Sequence, residues 1–113
     1  MSDSVILLIS STSTDSAQEV GQRRIHDMLK SKKVMFTSLD GSLPENKERR
    51  DQLFACSNLR GKYPQVFIES AATGLTYVGN YDKLVELSEC DGLVGLPDAV
   101  ETFSKTFASA AKE

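Results

Sequence analysis

The sequence predicts an α/β domain, a three-layer sandwich in which a four-stranded mixed sheet carries helices on both faces. Three observations predict it. Short apolar runs alternate with charged, helix-patterned stretches from residue 5 to residue 57, the signature of a βαβ unit and a further helix. The next two apolar runs, 65–68 and 75–78, are joined by a link too short for a crossover, so they form an antiparallel hairpin. Two more helical stretches close the chain.

The elements follow in order. "VILLIS", 5–10, is a continuous apolar run and reads as a central strand covered on both faces. After the polar "STSTDS", Ser16 and Glu19 have the spacing of a capping box, so a helix starts there. Ala17, Gly21, Ile25, Met28 and Leu29 form its apolar stripe, widened by Val20. Lys30, Lys32 and Lys33 fall at its C-terminal end, where positive charge is favourable. "VMFTSL", 34–39, is the second strand. Ser42 and Glu45 repeat the capping-box spacing, with Pro44 in the first turn of a charged helix over 44–57 anchored by Leu53 and Phe54. Gly61 turns the chain into "QVFI", 65–68, and "LTYV", 75–78, completes the hairpin. Asn80 caps the next helix, which buries Tyr81, Leu84, Val85 and Leu87. A last helix begins near Pro97, with Val100, Phe103, Phe107 and Ala110 or Ala111 as its stripe. A right-handed crossover makes the first two strands parallel.

At 113 residues the chain is sized for one domain, spanning 1–113. Its formal net charge of -3 disfavours non-specific nucleic-acid binding, which rests on neutralising phosphates. The basic clusters at 23–24, 30–33 and 47–50 read as solvated helix faces, with anion binding as the other reading. No apolar run is long enough to span a membrane, and the first apolar run is too short and lacks a basic lead for a signal peptide. Cys56 and Cys90 are too far apart in sequence for a disulfide scaffold. These features predict a cytoplasmic protein.

Candidate chemistry is sparse. His26 is the only histidine, and no second ligand stands at metal-binding spacing, so no metal and no cofactor are expected. The carboxylates are dispersed, without a recognisable acid–base pair. "GLTYVG" lacks the spacing of a phosphate loop. Tyr63, Tyr77 and Phe67 do not read as a stacking platform, because Phe67 alternates within a strand and belongs to the core. Cys56 and Cys90 read as small, buried or half-buried side chains; Arg60 and Lys62 near Cys56 leave a reactive thiol as the alternative.

One position needs a reason beyond local structure. In "GKYPQVFI", Pro64 stands directly before a strand, where proline is tolerated only at the first residue or an edge. The element order, with a proline at the head of the third strand, resembles the glutaredoxin-like form of the thioredoxin fold. There a cis-proline faces the loop between the first strand and the first helix. "VILLISSTST", "YPQVFI" and "YVGNYDKL", in that order and spacing, resemble the Src-homology-3-binding glutamic-acid-rich family and its small relatives over about residues 5–110. The resemblance implies a small cytosolic adaptor or modulator without a redox cysteine pair. The alternative is a glutathione-binding or glutaredoxin-like redox protein.

The resemblance also implies a vestigial groove formed by Ser11, Thr12, Ser13, Lys62, Tyr63, Pro64, Asn80, Tyr81 and Asp82. In glutaredoxins the backbone before the cis-proline holds the cysteinyl part of glutathione, and the following helix start receives its γ-glutamyl carboxylate. Here Ser11, Thr12, Ser13 and Thr14 occupy the loop that carries the reactive thiol in those enzymes. A hydroxyl without a strong base cannot carry out thiol–disulfide exchange, so no catalytic residue is expected. Tyr63 is larger than the residue usual before that proline, so glutathione binding is expected to be weak at best. A protein or extended peptide is the expected partner. The family's proline-rich ligand motif is absent, since Pro44, Pro64 and Pro97 are isolated, and "KTFASAAKE" is not glutamate-rich.

Overall fold

The computed structural model describes residues 3–11, 16–72, 74–91, 102–108 and 110. The chain runs β1 (Ser4–Ile9), α1 (Ser16–Ser31), β2 (Phe36–Asp40), α2 (Lys47–Ser57), β3 (Gln65–Ser70), β4 (Gly74–Gly79), α3 (Tyr81–Asp91) and α4 (Phe103–Thr106). A single 3-10 turn, Pro44–Asn46, leads into α2. The sheet order is β2-β1-β3-β4. β1 and β2 pair in parallel, Val5 opposite Phe36, while β3 is antiparallel to both β1 and β4.

The alternating side chains of β1 feed two cores. Val5 and Leu7 point into one, with Ile25 and Leu29 of α1, Leu84 and Leu87 of α3, and Phe103 and Phe107. Ile6 and Leu8 point into the other, with Leu53 and Phe54 of α2 and Phe67 of β3. The sandwich of three layers follows: α1, α3 and α4 cover one face of the sheet and α2 the other. Each fully buried aliphatic or aromatic side chain contributes about 1.5–3 kcal/mol, so α2 depends heavily on its two anchors.

Several local expectations need correction. Ser16 is the first helical residue of α1 rather than its cap. Ser42 does not cap α2: its Oγ donates to Asp40 Oδ1 at 2.6 Å, and a 3-10 turn starting at Pro44 takes the place of the expected first α-turn. The hydroxyl is turned to donate to the strand carboxylate and does not accept from a helix amide. β2 starts two residues later than predicted, at Phe36, because the chain is still closing α1 at Lys32 and Lys33. Lys33 takes a left-handed conformation there, with φ of 60°, and the Val34 amide donates to the Leu29 carbonyl. Val20 does not widen the buried stripe, for it is 45% exposed, and Ala17 is exposed as well. The predicted helix start at Pro97 and the stripe residue Val100 lie outside the described residues; Phe103, Phe107 and Ala110 are buried.

Candidate functional site

At the carboxyl end of β1, three pieces of chain converge on a groove of about 530 Å³. The first turn and a half of α1 forms one side, through Ser16, Ala17, Val20 and Gly21. Tyr63 and Pro64, leading into β3, form the floor, and Asn80, Tyr81 and Asp82 at the start of α3 form the far side. The Tyr63–Pro64 peptide is cis. Pro64 is buried while Tyr63 is half-buried.

α1 passes close to the proline at Gly21. A Cβ at that position would sit 3.4 Å from Pro64 Cδ and 3.5 Å from Tyr81 Cβ, so the space between helix, proline and tyrosine is about one methyl group wide. The start of α3 is set by Asn80, whose Oδ1 accepts from the Lys83 amide at 3.1 Å while its carbonyl accepts from the Leu84 amide. That leaves the amides of Tyr81 and Asp82 unused by the helix itself. The Tyr81 hydroxyl accepts from Arg24 at 3.1 Å, which ties α1 to α3 outside the groove lining.

The Tyr63 ring turns away from the groove. It packs edge-on against Phe54, centroids 5.9 Å apart, and its hydroxyl lies beside Gly41, with Arg50 and Asp40 near by. Burial raises the phenol above its ordinary pKa; Arg50 opposes that shift and Asp40 reinforces it. The bulky residue before the proline therefore leaves the groove open. The Tyr63 amide and carbonyl make no hydrogen bond with the described residues.

Three polar side chains absent from the sequence-based site hold the surrounding loops. Gln65 is completely buried, and its Nε2 donates to the carbonyls of Leu59 at 2.8 Å and Lys62 at 2.7 Å. It pins the loop that delivers Tyr63. Gln22 of α1 pairs with Ser10 like a short strand, Oε1 accepting from the Ser10 amide at 2.8 Å and Nε2 donating to its carbonyl at 3.3 Å. Asp40, at the end of β2, accepts from the Ser11 amide, the Ser42 amide and the Ser42 hydroxyl. Burial alone would raise the Asp40 carboxyl, but the hydrogen bonds from Ser11 and Ser42 outweigh it and lower the pKa to about 2. For Gln65 and Gln22 the available signal was a polar residue interrupting an apolar pattern. For Asp40 it was an Asp-Gly-Ser turn.

Of the predicted groove residues, the fold brings Tyr63, Pro64, Asn80, Tyr81 and Asp82 together. Ser11 and Lys62 are not part of the lining. Ser11 is drawn to the β2 side, its Oγ 2.9 Å from Ser42 Oγ, and Lys62 is exposed, its carbonyl turned to Gln65. Thr12, Ser13 and Thr14 lie outside the described residues. Neither cysteine lines the groove; Cys56 is exposed, with Sγ 3.5 Å from the Leu75 carbonyl, and Cys90 is half-buried. His26 is exposed and packs edge-on against Phe36. Among the described residues no group of His, Cys, Asp or Glu could hold a metal ion, and no helix is long and apolar enough to cross a membrane.

The fold has counterparts in solved structures. The chain has a glutaredoxin-type thioredoxin fold. It is similar to the buckwheat glutaredoxin–glutathione complex, with a TM-score of 0.55 and 13% identity over 80% of this chain and 71% of that one. It is also similar to the holo form of glutaredoxin C1 from Populus tremula x tremuloides, with a TM-score of 0.59 and 19% identity over 98% of this chain and 84% of that one. At such identities the likeness establishes the fold. Neither a family model nor a curated protein sequence matches the chain.

Proposed function

We propose that this protein is a non-catalytic binding module that takes an extended segment of a partner protein into the groove beside Tyr63 and Pro64. It would be a cytoplasmic adaptor or modulator of the kind its resemblance to the Src-homology-3-binding glutamic-acid-rich family implies. The observation that carries the proposal is the Tyr63 backbone, whose amide and carbonyl make no hydrogen bond with the described residues at the edge of an open groove. An incoming extended strand can satisfy both groups at once, which is how peptides add to exposed backbone elsewhere. The hydroxyl-bearing loop after β1 and the position of both cysteines outside the groove further support a role without thiol chemistry.

The test is a chemical-shift titration with an end-capped hexapeptide of alternating valine and glutamine. Saturable shifts of the Gly21, Tyr63 and Asp82 amides are expected, and methylating the peptide's alternate amide nitrogens should abolish them. No saturation, or shifts confined to another surface, would overturn the proposal. The similarity to a glutathione complex motivates a second reading, a glutathione-dependent redox protein. Glutathione itself should bind no tighter than the millimolar range, about -4 kcal/mol. Reduction of a mixed disulfide by glutathione above background, lost on Cys56→Ala, would favour that second reading.

A further inference from the structure

The groove has an uneven charge balance. Its lining combines apolar and aromatic surface from Ala17, Val20, Pro64 and Tyr81 with neutral polar groups, and among the described lining residues Asp82 alone carries a formal charge. That carboxylate is exposed and makes no ion pair or hydrogen bond with the described residues. Neither near cation pairs with it. Arg24 donates to the Tyr81 hydroxyl, and Lys83 reaches Glu86 at 4.0 Å. Val20 adds an exposed apolar side chain at the rim.

From these features, and resting on the reading of this groove as a peptide site, we infer that its occupant is an extended peptide with a lysine or arginine beside apolar residues. Asp82 selects it. The apolar residues cover Val20 and Ala17 while the basic side chain lies along Tyr81 toward the free carboxylate. The stem of lysine or arginine suits this path, because it covers apolar surface while its charge stays in water. The same carboxylate disfavours anionic ligands, including peptides that carry glutamate at that place. Asp82 also lies in the first turn of α3, where a carboxylate complements the helix dipole. That role affects stability and leaves ligand preference unchanged, so the two can be separated by experiment.

The experiment uses three end-capped hexapeptides of alternating valine and glutamine, in which one central glutamine is kept or replaced by lysine or glutamate. Each is titrated against the full chain and against Asp82→Asn, at low and high salt, with the amide shifts of Gly21, Tyr63 and Asn80 as readout. An exposed ion pair is expected to favour lysine over glutamine about threefold, and repulsion to disfavour glutamate by a similar factor. Both differences should collapse in Asp82→Asn and shrink at high salt, since the pair is exposed. If all three peptides bind the groove equally, charge selection fails while the peptide site stands. A lysine preference that survives in Asp82→Asn overturns the assignment to Asp82. If none binds, the peptide site and its selectivity fail together.

Discussion

Gln65 is the side chain on which the geometry of the groove floor depends, and replacing it by leucine gives a quantitative test. The side chain is fully buried, so its hydrogen bonds are not exchanged with solvent. Its Nε2 faces two carbonyl acceptors, which requires the amide nitrogen rather than the oxygen at that position. Losing two such bonds costs about 2–3 kcal/mol, and stranding the Leu59 and Lys62 carbonyls adds about 1 kcal/mol. Against this, Gln65 Oε1 is buried without a partner among the described residues, and its removal returns about 1–2 kcal/mol. The net expectation for Gln65→Leu is a loss of about 2 kcal/mol, or roughly 8 °C in Tm for a domain of this size. Urea unfolding followed by circular dichroism measures the loss. The amide shifts of residues 59–63 report whether the loop leading to Tyr63 has loosened.

A second variant separates hydrogen bonding from volume. Gln65→Glu keeps the shape but places a carboxylate against two carbonyls. Its folded-state pKa is then raised above the unfolded value, so relative to wild type its stability falls as pH rises through the two values and recovers as pH is lowered. The reasoning is refuted if Gln65→Leu is as stable as wild type with unchanged loop shifts, or if the penalty of Gln65→Glu does not depend on pH.

Three further outcomes follow from the same geometry. Asp40 titrates at about 2 in the folded state against 3.8 as the ordinary value, so its contribution is present above pH 4 and lost as pH falls through about 2. Because the carboxylate is partly open to solvent, Asp40→Asn should cost about 1 kcal/mol at neutral pH, and the cost should fall away as pH drops toward and below 2, measured by urea midpoints across that range. Gly79→Ala should cost about 1–3 kcal/mol in the same assay, since the added Cβ would overlap Lys83 Cβ and Cγ at the entry to α3. Gly21→Ala should be neutral or stabilise by up to about 1 kcal/mol through helix propensity, because its Cβ meets Pro64 and Tyr81 at ordinary contact distance; Gly21→Leu should fill the groove and abolish peptide binding.

The order of elements was legible in the sequence because it depends on local pattern. Apolar runs such as "VILLIS", the stripe of Gly21, Ile25 and Leu29, and the short link between β3 and β4 encode strand, helix and hairpin within a few residues each. The groove at the head of β3 was legible in part, because Tyr63, Pro64, Asn80, Tyr81 and Asp82 sit at element boundaries that the order already implies. Ser42 shows where local pattern misleads: its capping-box spacing predicts a bond to a helix amide, yet the Asp40 carboxylate takes the hydroxyl. Only the tertiary structure decided that Ser11 is drawn away toward Asp40, that Gln22 clamps Ser10, and that Gln65 turns its amide onto the loop before Tyr63. It also decided that Val20, in register with a buried stripe, lies at the rim of an open groove. The physical reason is common to all four. A polar side chain chooses among acceptors by distance and burial, and an apolar one is covered only if another layer reaches it, and both depend on segments far away along the chain.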